Sequence, residues 1–235
     1  MAGTGVPRTG QENGTVPMST PSRTFARKQR GVRNAEASRK AILHAALDEF
    51  STAGYDGARI DRIAAKAGVS KPLLYDYFGD KEELYAVALR EAYVQIREAE
   101  MALELDALDP SAAVRELCLF TMDHFRTNPW FITILNTENL RGGATISRLE
   151  DRREVQSKLL EKLGRVLERG VAEGRFRNDV TPVTLYIQIA SLCYFPVSNR
   201  FTLAAVFGVD FTGDRLREHA GRAADIVLSW LERKP

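Results

Sequence analysis

Two cysteines in 235 residues, Cys118 and Cys193, are too few for a disulfide framework and stand in no Cys-x-x-Cys spacing. Both fall in apolar helical contexts, so they are expected as small buried hydrophobes in a protein of the reducing cytoplasm. Histidine is also sparse. His44, His124 and His219 lie far apart without carboxylates at ligand spacing, which argues against a helical di-metal site. No Walker, dinucleotide, serine-hydrolase or zinc-protease motif occurs. No catalytic residue, metal or cofactor is therefore expected. A long unbroken apolar run is missing too. The uncharged stretch from Val180 to Asn199 is interrupted by Pro182, Thr184, Gln188, Ser191, Pro196 and Ser198. It reads as a buried helix at a subunit contact and not as a membrane span. Finally there is almost no net charge, +2 from 33 Lys+Arg against 31 Asp+Glu, which on its face gives little field to attract nucleic acid.

The distribution of those charges says more than their sum. Residues 1–33 hold Arg8, Arg23, Arg27, Lys28, Arg30 and Arg33 against Glu12 alone, so this Gly-, Ser-, Thr- and Pro-rich segment is a basic arm of +5, expected to be disordered. Residues 34–81 balance to zero and residues 82–235 carry −3.

Beyond the arm there is no β alternation of any length and no repeat. Ile42, Leu43, Ala46, Leu47, Phe50 and Ala53 follow Asn34, a plausible N-cap, at helical spacing, and Gly54 stops them. Short helices are expected from Ile60 to Gly68 and from Ser70 to Gly79. A long helix capped by Asp80 and Glu83 runs to about Leu105. Further helices are predicted near 111–127, 129–140, 147–173, 182–195 and 212–232. The fold class is all-α: a three-helix helix-turn-helix domain over 34–81, then a larger bundle of about six helices over 82–235.

The segment from Ile60 to Gly79 meets the demands of a helix-turn-helix. Ala64 lets the helices approach, Gly68 suits a left-handed turn, and Ile63, Val69 and Leu74 lie behind both helices. A plain αα-hairpin needs the same residues. It does not need the polar and aromatic face of Lys71, Tyr75 and Tyr77 on the second helix.

Phe50-Ser-Thr-Ala-Gly-Tyr55, Ile63-Ala-Ala-Lys-Ala-Gly-Val-Ser-Lys71 and Leu74-Tyr-Asp-Tyr-Phe-Gly-Asp-Lys-Glu-Glu-Leu84 resemble the DNA-binding domain of the TetR family of bacterial transcriptional regulators. The resemblance implies a homodimer that binds a double-stranded operator, with a divergent C-terminal domain for dimerisation and a small-molecule effector. Lys71, Pro72, Leu73, Tyr75, Asp76 and Tyr77 then occupy the recognition helix. Lys71 and Lys81, each in a first turn, suit phosphate oxygens, and Tyr75 and Tyr77 suit phosphates or thymine methyls. Pro72-Leu73 replaces the family's small residue and hydroxyl, so an apolar contact is expected at Leu73. Ala58-Arg59 replaces its usual cap, leaving Arg59 as a phosphate contact or a solvated side chain.

The C-terminal stretches Asn128 to Gly143 and Tyr194-Phe-Pro-Val-Ser-Asn-Arg-Phe201 are similar to effector domains of a TetR subgroup that includes regulators of aromatic and heterocycle utilisation. Cavity candidates are Tyr93, Phe125, Trp130, Asn136, Asn139, Gln188 and Tyr194, with Arg141 or Arg200 as a carboxylate clamp or a surface residue. Dimerisation is expected through the last two long helices, with Val227, Trp230 and Leu231 supplying apolar surface. Release from a near-palindromic operator by an aromatic or heterocyclic effector is the expected mode of action. The other readings are a cysteine-based redox regulator, a non-specific architectural DNA-binding protein and, least supported, an enzyme.

Overall fold

The computed structural model describes residues 1–3, 23–150 and 152–232. Residues 4–22 of the basic arm lie outside the described residues, whereas Arg23 to Arg33, expected as part of a disordered arm, form the start of a helix. The chain divides into a unit Met1–Ala37 and a unit Ser38–Pro235, and the sites described below lie in the second.

The architecture is all-α, as the periodicity predicts. The helices are α1 (Arg23–Gly57), α2 (Ile60–Ala67), α3 (Lys71–Phe78), α4 (Lys81–Met101), α5 (Pro110–Thr127), α6 (Pro129–Leu140), α7 (Arg152–Ala172), α8 (Pro182–Ser198), α9 (Arg200–Phe207) and α10 (Gly213–Leu231). Among the described residues the β structure is one isolated bridge, Phe176 to Glu232. No described helix is long and apolar enough to cross a membrane.

Several boundaries differ from the sequence reading. Helix α1 begins at Arg23, upstream of Asn34. Helix α4 ends at Met101, because Lys162 of α7 donates to the carbonyls of Met101 (2.9 Å) and Leu103 and so satisfies the helix end there. Ile146–Arg148 forms a separate 3₁₀ turn, and α7 follows it. Helix α9 was not expected: its run Arg-Phe-Thr-Leu-Ala-Ala-Val-Phe has no polar side, and the structure buries none of it.

Helix α5 runs through the middle of the bundle and packs against α7, α8 and α10. The buried apolar side chains form one cluster extending from Ile42 in α1 to Leu231 in α10. Helix α10 gives that cluster Leu216, Ala220, Ala224, Val227 and Leu231. This corrects the expectation for the subunit contact. Val227 and Leu231 point into their own bundle and Trp230 is half-buried, so they supply no free apolar face. The exposed apolar residues of this end are Val183, Ile187 and Phe195 on α8, Phe201, Val206 and Phe207 on α9, and Ile226 on α10.

Candidate nucleic-acid interface and candidate effector cavity

Helices α2 and α3 are set by local chemistry. Gly68 takes φ 67°, ψ 31°, a left-handed conformation that favours glycine, and the Val69 amide closes the turn on Ala64 O at 3.0 Å. The Ser70 hydroxyl accepts from the Leu73 amide and starts α3. Ile63, Ala64, Leu74 and Phe78 are buried behind the pair. At the far end Gly79 adopts φ 72°, and a Cβ there would stand 1.5 Å from Glu83 Oε2, the oxygen that reaches back to the Asp80 amide in the capping box of α4.

This folding turns Lys71, Pro72, Tyr75 and Asp76 outward as the exposed side of α3. Leu73 is half-buried beside them. Tyr77 is half-buried as well: Arg39 lies 5.9 Å from its ring and donates to its carbonyl at 3.0 Å. Lys71 Nζ is 2.8 Å from Asp61 in the first turn of α2. Lys81 stands over the Tyr55 ring at 4.8 Å and donates to Asp56 O at 3.4 Å. Arg59 is the N-cap of α2 and makes no side-chain cap, as its identity suggests. The carboxylate of Glu49 accepts from the Arg59 amide at 3.1 Å and so satisfies the N–H of the N-cap residue itself, a role the sequence gave no sign of.

A cavity of about 410 Å³ opens between α4, α5, α6 and α8, lined by Tyr93, Phe125, Phe131, Leu135, Asn139, Tyr186, Ala190, Ser191 and Tyr194. Tyr93, Phe125, Asn139 and Tyr194 were anticipated. Trp130, Asn136 and Gln188 do not line it. Trp130 Nε1 donates to Asn128 Oδ1 at 3.2 Å, and Asn136 stands behind Tyr194, accepting its hydroxyl and donating to Ser198 Oγ at 3.2 Å. Gln188 faces outward. A larger groove of about 930 Å³ runs past Arg177, Asp179, Asp225, Ile226, Trp230 and Glu232, a mixed surface with four charged side chains. The aromatic cavity fits a small-molecule site better, with few polar groups placed in an apolar lining.

Behind the cavity wall lies a charged group that the sequence reading missed. Arg97 is buried, donates to the Tyr186 hydroxyl at 2.9 Å and lies 5.1 Å from that ring. Its Nη1 is 2.6 Å from Glu100, without hydrogen-bond alignment, and its Nε is unpartnered. Burial raises the Glu100 carboxyl to about 7, against the pull of Arg97. The Nε2 of His124 is buried without a partner, and burial followed by the charge of Arg97 holds that imidazole below its ordinary value.

Arg141 acts on a carboxylate, but an internal one. Immediately beyond α6, it donates to both oxygens of Glu82 in the first turn of α4 at 2.9 and 2.8 Å, and it lies 3.5 Å from the centre of the Tyr55 ring. Thr145 Oγ1 donates to the same carboxylate at 3.1 Å. Burial would raise Glu82, but the hydrogen bonds from Tyr55, Arg141 and Thr145 outweigh it and hold the carboxyl low. Arg200 only caps its own turn at Val197 O and covers Phe201.

The cysteines are buried, as their apolar helical contexts suggest. The Cys193 thiol faces Cys118 O at 3.5 Å, and burial pushes both thiols up, Cys193 to about 12, so little thiolate exists near neutrality.

Known proteins agree with this arrangement. Residues 42–88 match the bacterial regulatory proteins of the tetR family, and residues 110–227 match the tetracyclin repressor-like C-terminal domain. The HTH-type transcriptional repressor NicS of Pseudomonas putida is 40% identical over 209 residues, 88% of this chain and 99% of that one. The HTH-type transcriptional repressor SCO4008 of Streptomyces coelicolor is 29% identical over 199 residues, 83% of this chain and 97% of its own. A TetR family transcription regulator from Marinobacter aquaeolei shares the fold, with a TM-score of 0.60 at 17% identity over 86% of this chain and 99% of that one. With a helix-turn-helix match at one end and a repressor-type helical match across the other, the chain belongs to the TetR family of bacterial transcriptional regulators.

Proposed function

We propose that this chain is a homodimeric repressor that binds a near-palindromic operator through α3 and is released when a small aromatic or heterocyclic compound enters the α4–α5–α6–α8 cavity. In this reading residues 34–81 form the DNA-binding domain and residues 82–235 bind ligand and the second subunit. The exposed residues Lys71, Pro72, Tyr75 and Asp76 enter the major groove with Leu73 at their edge, while Lys81 and Arg59 approach phosphates. The exposed apolar residues of α8 and α10 form the two-fold contact, which sets the α3 helices roughly 34–36 Å apart or a multiple of that. The repressor names of the two relatives support negative control.

One observation carries the proposed release. Helix α6 contributes Leu135 and Asn139 to the cavity, and Arg141 just beyond it clamps Glu82 at the start of α4, one residue from Lys81. A ligand that displaces α6 therefore moves a charged clamp on the head. The cavity polar groups Asn139, Ser191 and the Arg97-bound Tyr186 hydroxyl suit a planar molecule with hydrogen-bonding edges.

Operator sequences selected from random duplexes by the full chain are expected to be near-palindromic. Among aromatic and heterocyclic compounds, one that binds the full chain by calorimetry is expected to weaken operator binding, and operator must weaken that compound's binding by the same factor. Arg141→Met should retain the compound and lose about 1–2 kcal/mol of this coupling. A compound bound in the cavity that leaves operator affinity untouched would overturn the release mechanism.

A further inference from the structure

The cavity lining is uncharged, yet a cation stands directly behind one of its wall residues. Arg97 of α4 is 5% exposed, and its Nη2 donates to the Tyr186 hydroxyl oxygen at 2.9 Å, while Nε and Nη1 have no hydrogen-bond partner. A phenol has one proton to give, and its oxygen accepts. With Arg97 donating to that oxygen, Tyr186 is left as a donor, and among the described residues no acceptor takes its proton. The guanidinium also polarises the hydroxyl and strengthens it as a donor. Tyr194, on the same helix, is committed the other way, since its proton goes to Asn136 Oδ1.

The charge behind the wall is incompletely balanced. Glu100 stands 2.6 Å from Arg97, but burial raises its carboxyl to about 7, so near neutrality about half of it carries no charge. Glu138, the other buried carboxylate among the described residues, accepts from the amides of Thr145 and Ile146 at 2.7 and 2.8 Å. The His124 imidazole, held low by burial and then by Arg97, is neutral near pH 7 and adds no charge. A buried guanidinium with unmet hydrogen bonds and a half-neutralised partner is costly, and an anion brought to Tyr186 recovers part of that cost.

We propose that the effector is an acid: its carboxylate accepts a hydrogen bond from the Tyr186 hydroxyl, and the buried charge of Arg97, acting through that hydroxyl, selects the ionised acid over neutral analogues. The inference rests on the reading that the α4–α5–α6–α8 cavity receives the effector. Tyr186 makes the contact, and Arg97, which does not line the cavity, positions and charges it. Selectivity follows because a hydrogen bond to an ionised group is about twice as strong as a neutral one.

Matched pairs test this on the full chain by calorimetry: benzoate, 4-hydroxybenzoate, pyrrole-2-carboxylate and indole-2-carboxylate, each beside its primary amide. At least one acid should bind at millimolar concentration or below, about tenfold more tightly than its amide. Arg97→Met should bring that ratio close to one by weakening the acid alone, and Arg97→Lys should restore part of it. Tyr186→Phe keeps the ring and leaves the buried charge untouched; it should weaken the acid about tenfold and the amide no more than about threefold. A change in packing alone would weaken acid and amide alike, so the ratio separates the contact from a structural effect. Amides that bind as tightly as the acids, no acid bound at millimolar concentration, or a ratio unmoved by Arg97→Met and Tyr186→Phe would overturn the proposal. Leu135→Trp, which fills the cavity, separates this inference from the reading beneath it. If acids and amides bind the native chain equally and both are lost in Leu135→Trp, the cavity is the site and the acid is rejected. If acid binding survives Leu135→Trp, the cavity itself is rejected.

Discussion

The head and the cavity solve opposite electrostatic problems. On the head, charges are exposed and several cations have a carboxylate within reach: Lys71 with Asp61, Lys66 with Asp48, Arg62 with Glu49. Around the cavity, the lining is aromatic and uncharged, while the charges lie behind it, buried and incompletely paired: Arg97, Glu100 and His124. Exposed pairs are individually worth little and exchange readily with another anion, which suits a surface that must swap partners. Buried groups with unmet hydrogen bonds are held by packing, and their free energy responds strongly to protonation or to a polar ligand. The two regions are joined at a site with intermediate character, the half-exposed clamp of Arg141 on Glu82.

The harshest test of this contrast is to remove support from the head alone. Leu74 is fully buried beneath α3, and Leu74→Ala is expected to cost about 4 kcal/mol. Because the apolar cluster continues from Ile42 to Leu231, the loss should lower one shared unfolding transition. Both tryptophans, Trp130 and Trp230, lie in the C-terminal part, so their fluorescence and far-UV circular dichroism should follow the same urea curve. Separate curves, with fluorescence unmoved, would show that head and cavity fold independently and would break the comparison.

A smaller effect, specific to the cavity side, comes from Glu100. Its folded carboxyl lies near 7 because of burial, against about 4.3 for an unfolded glutamate, so between those values the folded chain holds a proton that the unfolded chain has lost. Stability from this group therefore falls as pH rises from about 4.3 to 7, by at most about 3.7 kcal/mol. His124 works in the other direction, since its depressed folded value makes stability fall as pH drops below about 6.5. Glu100→Gln removes the first contribution and leaves the second. The melting temperature of this variant relative to the native protein should climb steadily from pH 5 to pH 8. A difference that stays flat with pH would mean that the Arg97 pairing dominates and that Glu100 remains ionised throughout.

The head was largely legible in the sequence because its determinants lie within 20 residues: the Gly68 turn, the Ser70 cap, and Ile63, Ala64 and Leu74 behind them. Their positions follow from helix geometry alone. The cavity is assembled from four helices, and residue type does not say which face of a helix is turned inward. Tyr186 stands in an uncharged helix with no local pattern to single it out, whereas Trp130, Asn136 and Gln188 fall on other sides of α6 and α8. Val227 and Leu231 show the same limit. Periodicity identified an apolar stripe, but only tertiary packing reveals that α5 of the same subunit covers it. The pairs Asp61–Lys71 and Glu82–Arg141 join residues that are separated in sequence by a turn or by several helices, so no local pattern announces them.

The finest distinction lies within the head, between two tyrosines that are equivalent in sequence terms. Tyr75 is 41% exposed on the outer side of α3, and Tyr77 is packed beneath Arg39, whose guanidinium also lies 4.8 Å from Phe78 and binds the Tyr77 carbonyl. A phosphate contact requires a hydroxyl that reaches past the helix surface, and the exposed ring satisfies this more directly. Tyr75→Phe should therefore weaken operator binding by about 1 kcal/mol per subunit, measured by fluorescence anisotropy at fixed salt, with unchanged thermal stability. Tyr77→Phe should change binding by only a few tenths of a kcal/mol, within the usual range for a position away from the contact surface. Equal losses from both would mean that α3 rotates about its axis on DNA to bring Tyr77 outward. That rotation would require Arg39 to release the Tyr77 carbonyl, so Arg39→Met would then strengthen the Tyr77 contact and leave Tyr75 unaffected.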